Sequence, residues 1–133
     1  SAIWLGAQFG HLDCVEILLK FNADVNQKSE NNATPLYIAS QSGHAKCVEL
    51  LFHKNGDLNA ADSDGNTPVH EAAQNGHIEV LETLHTLGAT MDSRRQDGIT
   101  ALQLAQMMKQ STCIAFLQEH RTDGMCDWKS ERE

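Results

Sequence analysis

Seven histidines and four cysteines carry most of the reactive chemistry in this 133-residue chain. His70, Glu71 and His77 form its one local cluster of proton- or metal-handling side chains, yet their spacing fits no zinc-ligand pattern. A cysteine nucleophile needs an orienting histidine and a polar setting. Cys47 instead falls in an apolar stripe with Val48, Leu50 and Leu51. The sequence contains no phosphate loop, metalloprotease helix or nucleophile elbow. Its glycines fall singly, at places that call for turns. Neither a cofactor nor a metal is expected, and the chain is predicted not to be an enzyme.

The elements that carry these residues are set by a repeat. Thr34-Pro35-Leu36-Tyr37-Ile38-Ala39 returns as Thr67-Pro68-Val69-His70-Glu71-Ala72 and as Thr100-Ala101-Leu102-Gln103-Leu104-Ala105, a step of 33 each time. Ser1-Ala2-Ile3-Trp4-Leu5-Gly6 lies one step earlier. Gly10-His11, Gly43-His44 and Gly76-His77 keep the same step, as does Cys14-Val15-Glu16 with Cys47-Val48-Glu49. Fixed periods of this size mark units that bury their apolar faces only by stacking.

Each unit reads as a helix pair. Thr34 and Thr67 are suitable N-caps, and the proline that follows each loses nothing at the first helical position. The spacing predicts first helices over roughly 34–42 and 67–75, closed by Gly43 and Gly76 in left-handed conformation. Second helices carry the cysteine stripe and end at Asn22, Asn55 and Gly88. Asp64-Gly65 and Asp97-Gly98 are turn pairs. Cys14, Cys47 and Cys113 share one repeat position, too far apart to pair, and are expected to be buried free thiols of a reducing compartment, cytoplasmic or nuclear. Cys126 lies beyond the repeats.

A formal charge of −8 argues against nucleic acid and against anionic membranes. No run of about 18 apolar residues is present to span a bilayer.

On the Thr-Pro-Leu box, the Gly-His pairs, and Val25-Asn26 and Leu58-Asn59, all in one register, the chain resembles ankyrin-repeat proteins. The resemblance spans residues 1–123, in units 1–28 (truncated), 29–61, 62–94 and 95–123, and leaves 124–133 as a charged tail. Lys109-Gln110 in place of Gly-His, and Ser1 in place of the box threonine, depart from the pattern. The first unit suggests a segment whose preceding repeats are missing, with Ile3 and Trp4 open at its start. The resemblance implies an all-α solenoid of helix-turn-helix pairs with β-hairpin-like turns. It implies a monomeric protein-interaction module that binds a peptide or domain on its concave face. A regulatory or targeting segment of a larger enzyme is the alternative.

That concave face is lined by the first helices and the hairpin tips. Beyond Gln8, Lys28, Glu30 and Asn31, the expected contact residues are Phe9, Gln41, Asp62, Asp64, Asn66 and Glu71. Further along they are Gln74, Asn75, Arg94, Asp97, Met107 and Met108. Glu71 interrupts the apolar row Leu5, Ile38, Leu104, so an acidic and amide centre is expected to accept Lys, Arg or backbone N–H from the partner. The stacked histidines, and His70, are expected to bond to loop backbone. The resemblance also implies Asn26 and Asn59 as asparagine-hydroxylation targets; the alternative is that they only staple the hairpin turns.

Overall fold

A computed structural model describes residues 2–21, 23–29 and 32–119. Ser1, Asn22, Glu30, Asn31, Cys126 and the tail 124–133, all drawn into the sequence reading, lie outside the described residues.

Among the described residues the chain forms eight helices: α1 (Ala2–Phe9), α2 (Leu12–Lys20), α3 (Pro35–Ser42), α4 (Ala45–His53), α5 (Pro68–Gln74), α6 (Ile78–Leu87), α7 (Ala101–Met107) and α8 (Ser111–Glu119). The helices α1, α3, α5 and α7 pack on one another in chain order, and α2, α4, α6 and α8 form a second layer against them. The result is an all-α stack of helix pairs.

The caps follow from the box. Thr34 is extended (φ −86°, ψ 165°), and its side chain accepts the Tyr37 backbone N–H. Thr67 and His70 close a reciprocal capping box, as do Thr100 and Gln103. Gly43, Gly76 and Gly88 take positive φ at helix ends, where a Cβ would be strained. Lys109 holds the same place in the last unit at φ 58°, so the fold tolerates a strained non-glycine residue there.

The core runs unbroken between the layers through Ile3, Ala7, Val15, Leu36, Val48, Leu51, Val69, Val80, Leu84, Ala105 and Leu117. Small and branched side chains fill it, in keeping with an aromatic content of only 5%. Trp4 joins a separate cluster with Ala33, Tyr37 and Ile38.

Two expectations are corrected here. Ile3 is 2% exposed and Trp4 is half-buried; the open apolar residues near this end are Leu5 (51%), Phe9, Ile17 and Phe21 (79%). Ile3 turns into the core, whereas Leu5 occupies the register that Trp4 of the preceding unit covers at Ile38. Cys47 and Cys113 are buried free thiols as expected, but Cys14 is exposed. Cys47 and Cys113 lie on α4 and α8, which pack on the second helix of the preceding unit, whereas α2 has a described helix of its own layer on one side only, α4.

Leu51 is fully buried on α4, which packs against both α2 and α6. Leu51→Ala is expected to cost about 2–5 kcal/mol through lost transfer energy plus a cavity, read as a lower urea midpoint.

Candidate protein-binding face

Each junction between units is closed by one recurring bond. His44 Nε2 lies 3.1 Å from the Gln8 carbonyl, and His77 Nε2 lies 3.0 Å from that of Gln41. A carbonyl can only accept, so these imidazoles carry the proton on Nε2. The rings fill space left by glycine: a Cβ on Gly10 or Gly43 would stand 2.7 or 2.8 Å from the histidine of the next unit. Gln110 Nε2 donates to the Gln74 carbonyl at 3.1 Å, with its side chain over Gly76. Lys109-Gln110 thus performs the Gly-His task with different residues, an equivalence that the sequence reading missed.

The asparagines staple neighbouring loops. Asn26 Nδ2 donates to the Asn55 carbonyl at 3.2 Å, and its Oδ1 accepts the Asp57 N–H at 3.0 Å. Asn59 Oδ1 accepts the Thr90 N–H at 3.0 Å. Both side chains therefore reach the following unit, while their own turns are closed by backbone N–H groups, Asn26 to Asp24 Oδ1 at 3.0 Å and Asn59 to Asp57 Oδ1 at 2.9 Å.

With register fixed this way, residues of the second and third units converge. Tyr37, near the start of α3, donates its hydroxyl to Asp62 Oδ2 at 2.8 Å. Asp62 Oδ1 accepts the N–H groups of Asp64 at 2.9 Å and Asn66 at 3.0 Å, which tightens the hairpin. Gln41, at the other end of α3, donates to Glu71 Oε1 on α5 at 3.1 Å. Tyr37 was not singled out from sequence, although it stands at the box position that holds His70 and Gln103 in the later units.

Burial and hydrogen bonding split these two carboxylates. Burial pushes Asp62 up, but hydrogen bonds from Tyr37 and from the Asn66 and Asp64 amides outweigh it and leave its pKa below the ordinary value. For Glu71 burial dominates, and hydrogen bonds from Tyr37 and Gln41 offset it only in part, so its pKa lies above the ordinary 4.5. Burial, and then hydrogen bonding to Asp62, raise the Tyr37 phenol, which stays a donor. His70 Nδ1 accepts the Thr67 N–H at 3.1 Å and its Nε2 donates to the Ile99 carbonyl at 3.1 Å. This bonding needs a neutral ring, and burial lowers the His70 pKa accordingly.

Two expected contact residues are corrected. Asn66 is 9% exposed and Glu71 6%, so neither stands open on the surface. Asn66 is folded against the Asp62 carboxylate, and Glu71 is bonded by Gln41 from the neighbouring helix. Asp64, Gln41 and Asn75 are exposed, and Asp62 and Gln74 are half-buried. Asn75 Nδ2 reaches the Gln41 carbonyl at 3.3 Å. Arg94 is turned to the Gly98 carbonyl at 3.0 Å, and Asp97 pairs with Arg95 at 2.8 Å; both belong to the next hairpin. Phe9 ends α1, and Met107 and Met108 close α7; all three are exposed, at opposite ends of the stack. Among the described residues no group of three or more His, Cys, Asp or Glu side chains is arranged to hold a metal. No described helix is long and apolar enough to cross a membrane.

The Glu71 geometry has a pH signature. A raised folded-state pKa means that the folded chain holds this proton more tightly than the unfolded one. That contribution is complete below pH 4.5 and is lost as the pH climbs through the folded value. Glu71→Gln keeps an acceptor for Gln41 without the charge. It is expected to raise the urea midpoint at about pH 7 and to change it little at about pH 4. An equal effect at both pH values would show that burial of charge is not the cause.

A family model for ankyrin repeats, in three copies, matches residues 3–95. No match to a curated protein was found. Ankyrin repeats are in general protein–protein interaction modules and typically non-catalytic. The match covers most of the chain, its helix pairs and capped boxes follow the repeat throughout, and the chain belongs to the ankyrin-repeat family.

Proposed function

We propose that this chain is a preformed docking module that receives a cationic side chain of a partner peptide or domain where units 29–61 and 62–94 meet. One observation carries the reading. Asp62 and Glu71 sit together in the face of first helices and hairpins, and neither has an ion-pair partner among the described residues. Two carboxylates in a partly desolvated setting attract a cation more strongly than the same charges in water. Asp62 and exposed Asp64 are the groups a partner touches, and Glu71 acts from behind them through its field. Gln41, Gln74 and Asn75 offer amide contacts beside them. Phe9 on one side and Met107 and Met108 on the other offer apolar ones.

Rigidity supports the mechanism. The contact residues hang on helices fixed by inter-unit bonds, so little ordering is needed when the partner docks. The net charge of −8 adds long-range steering toward a basic ligand and opposes nucleic acid and anionic membranes. The domain reading of 1–123, with 124–133 as a tail, belongs to this proposal, as do a monomeric state and a reducing cytoplasmic or nuclear setting, which the free thiols of Cys14, Cys47 and Cys113 favour.

A displayed random-peptide library selected on the chain tests the reading. Binders are expected to be enriched in Lys or Arg at one position. Asp62→Asn or Glu71→Gln should erase that enrichment, while changes at Gln27 and Glu119 should leave it. Binders without a conserved cation, or binders lost only through changes on the outer faces of α4 and α6, would contradict it.

A further inference from the structure

The sequence holds two Asn-Gly pairs, Asn55-Gly56 and Asn75-Gly76. Asn-Gly is chemically labile because glycine leaves the following amide nitrogen unhindered. That nitrogen attacks the asparagine Cγ, the Cγ–Nδ2 bond breaks, and ammonia departs with the proton given up by the amide. The cyclic imide that results is opened by water at either carbonyl, giving aspartate or isoaspartate. No oxidant or reductant takes part. The step requires the peptide between the two residues to turn freely, and the fold treats the two pairs very differently.

The Asn55-Gly56 peptide is held at both ends. Gly56 N–H donates to the Leu51 carbonyl at 2.8 Å, and the Asn55 carbonyl accepts from Asn26 Nδ2 at 3.2 Å. Gly56 is buried, with its Cα so close to the Leu51 carbonyl that a Cβ would lie 2.7 Å from that oxygen. The Asn75-Gly76 peptide makes one long N–H contact to the Ala73 carbonyl, 3.4 Å, the Asn75 carbonyl accepts no hydrogen bond among the described residues, and what lies over Gly76 is the Gln110 side chain, not backbone. Asn75 is exposed, Gly76 is half-exposed, and the Asn75 side chain is held by one 3.3 Å bond to the Gln41 carbonyl.

We infer that Asn75 is a site of spontaneous deamidation in the folded protein, and that Asn55 is protected by its clamp. The location gives the modification consequences. Asn75 Nδ2 and His77 Nε2 both approach the Gln41 carbonyl, at 3.3 and 3.0 Å. Conversion replaces one of these donors by a carboxylate facing a carbonyl oxygen. Isoaspartate also lengthens the backbone two residues before His77. Both products loosen the bond that joins the second and third units. Neither the chemistry nor its selectivity depends on the partner proposed above.

The test is to age the intact chain at mildly alkaline pH, digest it, and follow both asparagines by mass spectrometry, beside a parallel sample kept unfolded in urea. In the folded sample Asn75 is expected to convert several-fold faster than Asn55. In urea the two pairs should convert at similar rates. An Asn55 that keeps pace with Asn75 in the folded chain overturns the inference. So does an Asn75 that stays intact when folded, or an Asn75 preference of the same size in urea.

Discussion

The backbone carbonyl near the end of a first helix cannot be satisfied within its own helix, and for α1, α3 and α5 the next unit satisfies it. Gln8, Gln41 and Gln74 present those carbonyls; His44, His77 and Gln110 donate to them. The donor reaches its acceptor only across a residue without a side chain, which is why glycine precedes the histidine in the sequence and why its left-handed conformation recurs. Everything else in the stack is in register with this bond. Val48 and Leu51, Val80 and Leu84 meet their neighbours at the same heights because each helix pair is locked to the pair before it. Stability in such an array is a sum over neighbouring junctions, so a weakened junction divides the molecule where a single-core domain would unfold as a whole.

The same register assembles the face from residues that are distant in sequence. Tyr37 and Gln41 belong to one unit, Asp62 and Glu71 to the next, and the stack brings them within hydrogen-bonding distance. Burying a carboxylate without a cation is unfavourable, and a well-packed apolar residue of similar volume would be better for the fold alone. Ile38 and Leu104, which hold the Glu71 position in the units on either side, are such residues. The stack therefore gives up stability at one junction, in the middle of its face. Local sacrifices of this kind gather where a protein has a ligand to meet.

Much of the fold could be read from the sequence because the repeat turns a three-dimensional problem into a local one. Thr34, Thr67 and Thr100 announce helix starts by capping chemistry within four residues, and Gly43, Gly76 and Gly88 announce the ends by their backbone freedom. The face was legible only as a set of positions. Whether Glu71 is open or covered depends on Gln41 one unit away, and Asp62 is set by Tyr37 across the junction. Cys14 and Leu5 differ from Cys47 and Ile38 in exposure although they share their repeat positions: α3 and α4 have a described unit packed before them, with Trp4 against the Ile38 cluster, and α1 and α2 do not. Lys109 and Gln110 looked like a loss of pattern, since the pattern was defined by residue types; no described donor crosses Lys109, so that position needs only a positive φ followed by a donor of suitable reach.

Glu71 is a desolvated carboxylate in this face with no ion-pair partner among the described residues, Arg95 acting on it only at a distance. Carbon-detected NMR titration of the Glu71 side-chain carboxyl in the folded chain tests this most directly, because the chemical shift of that carbon reports its own protonation. A midpoint above the ordinary 4.5 is expected. A midpoint at or below 4.5 would mean that water or a cation already stabilises the charge, and the face would then hold no unmet demand for a partner's basic side chain.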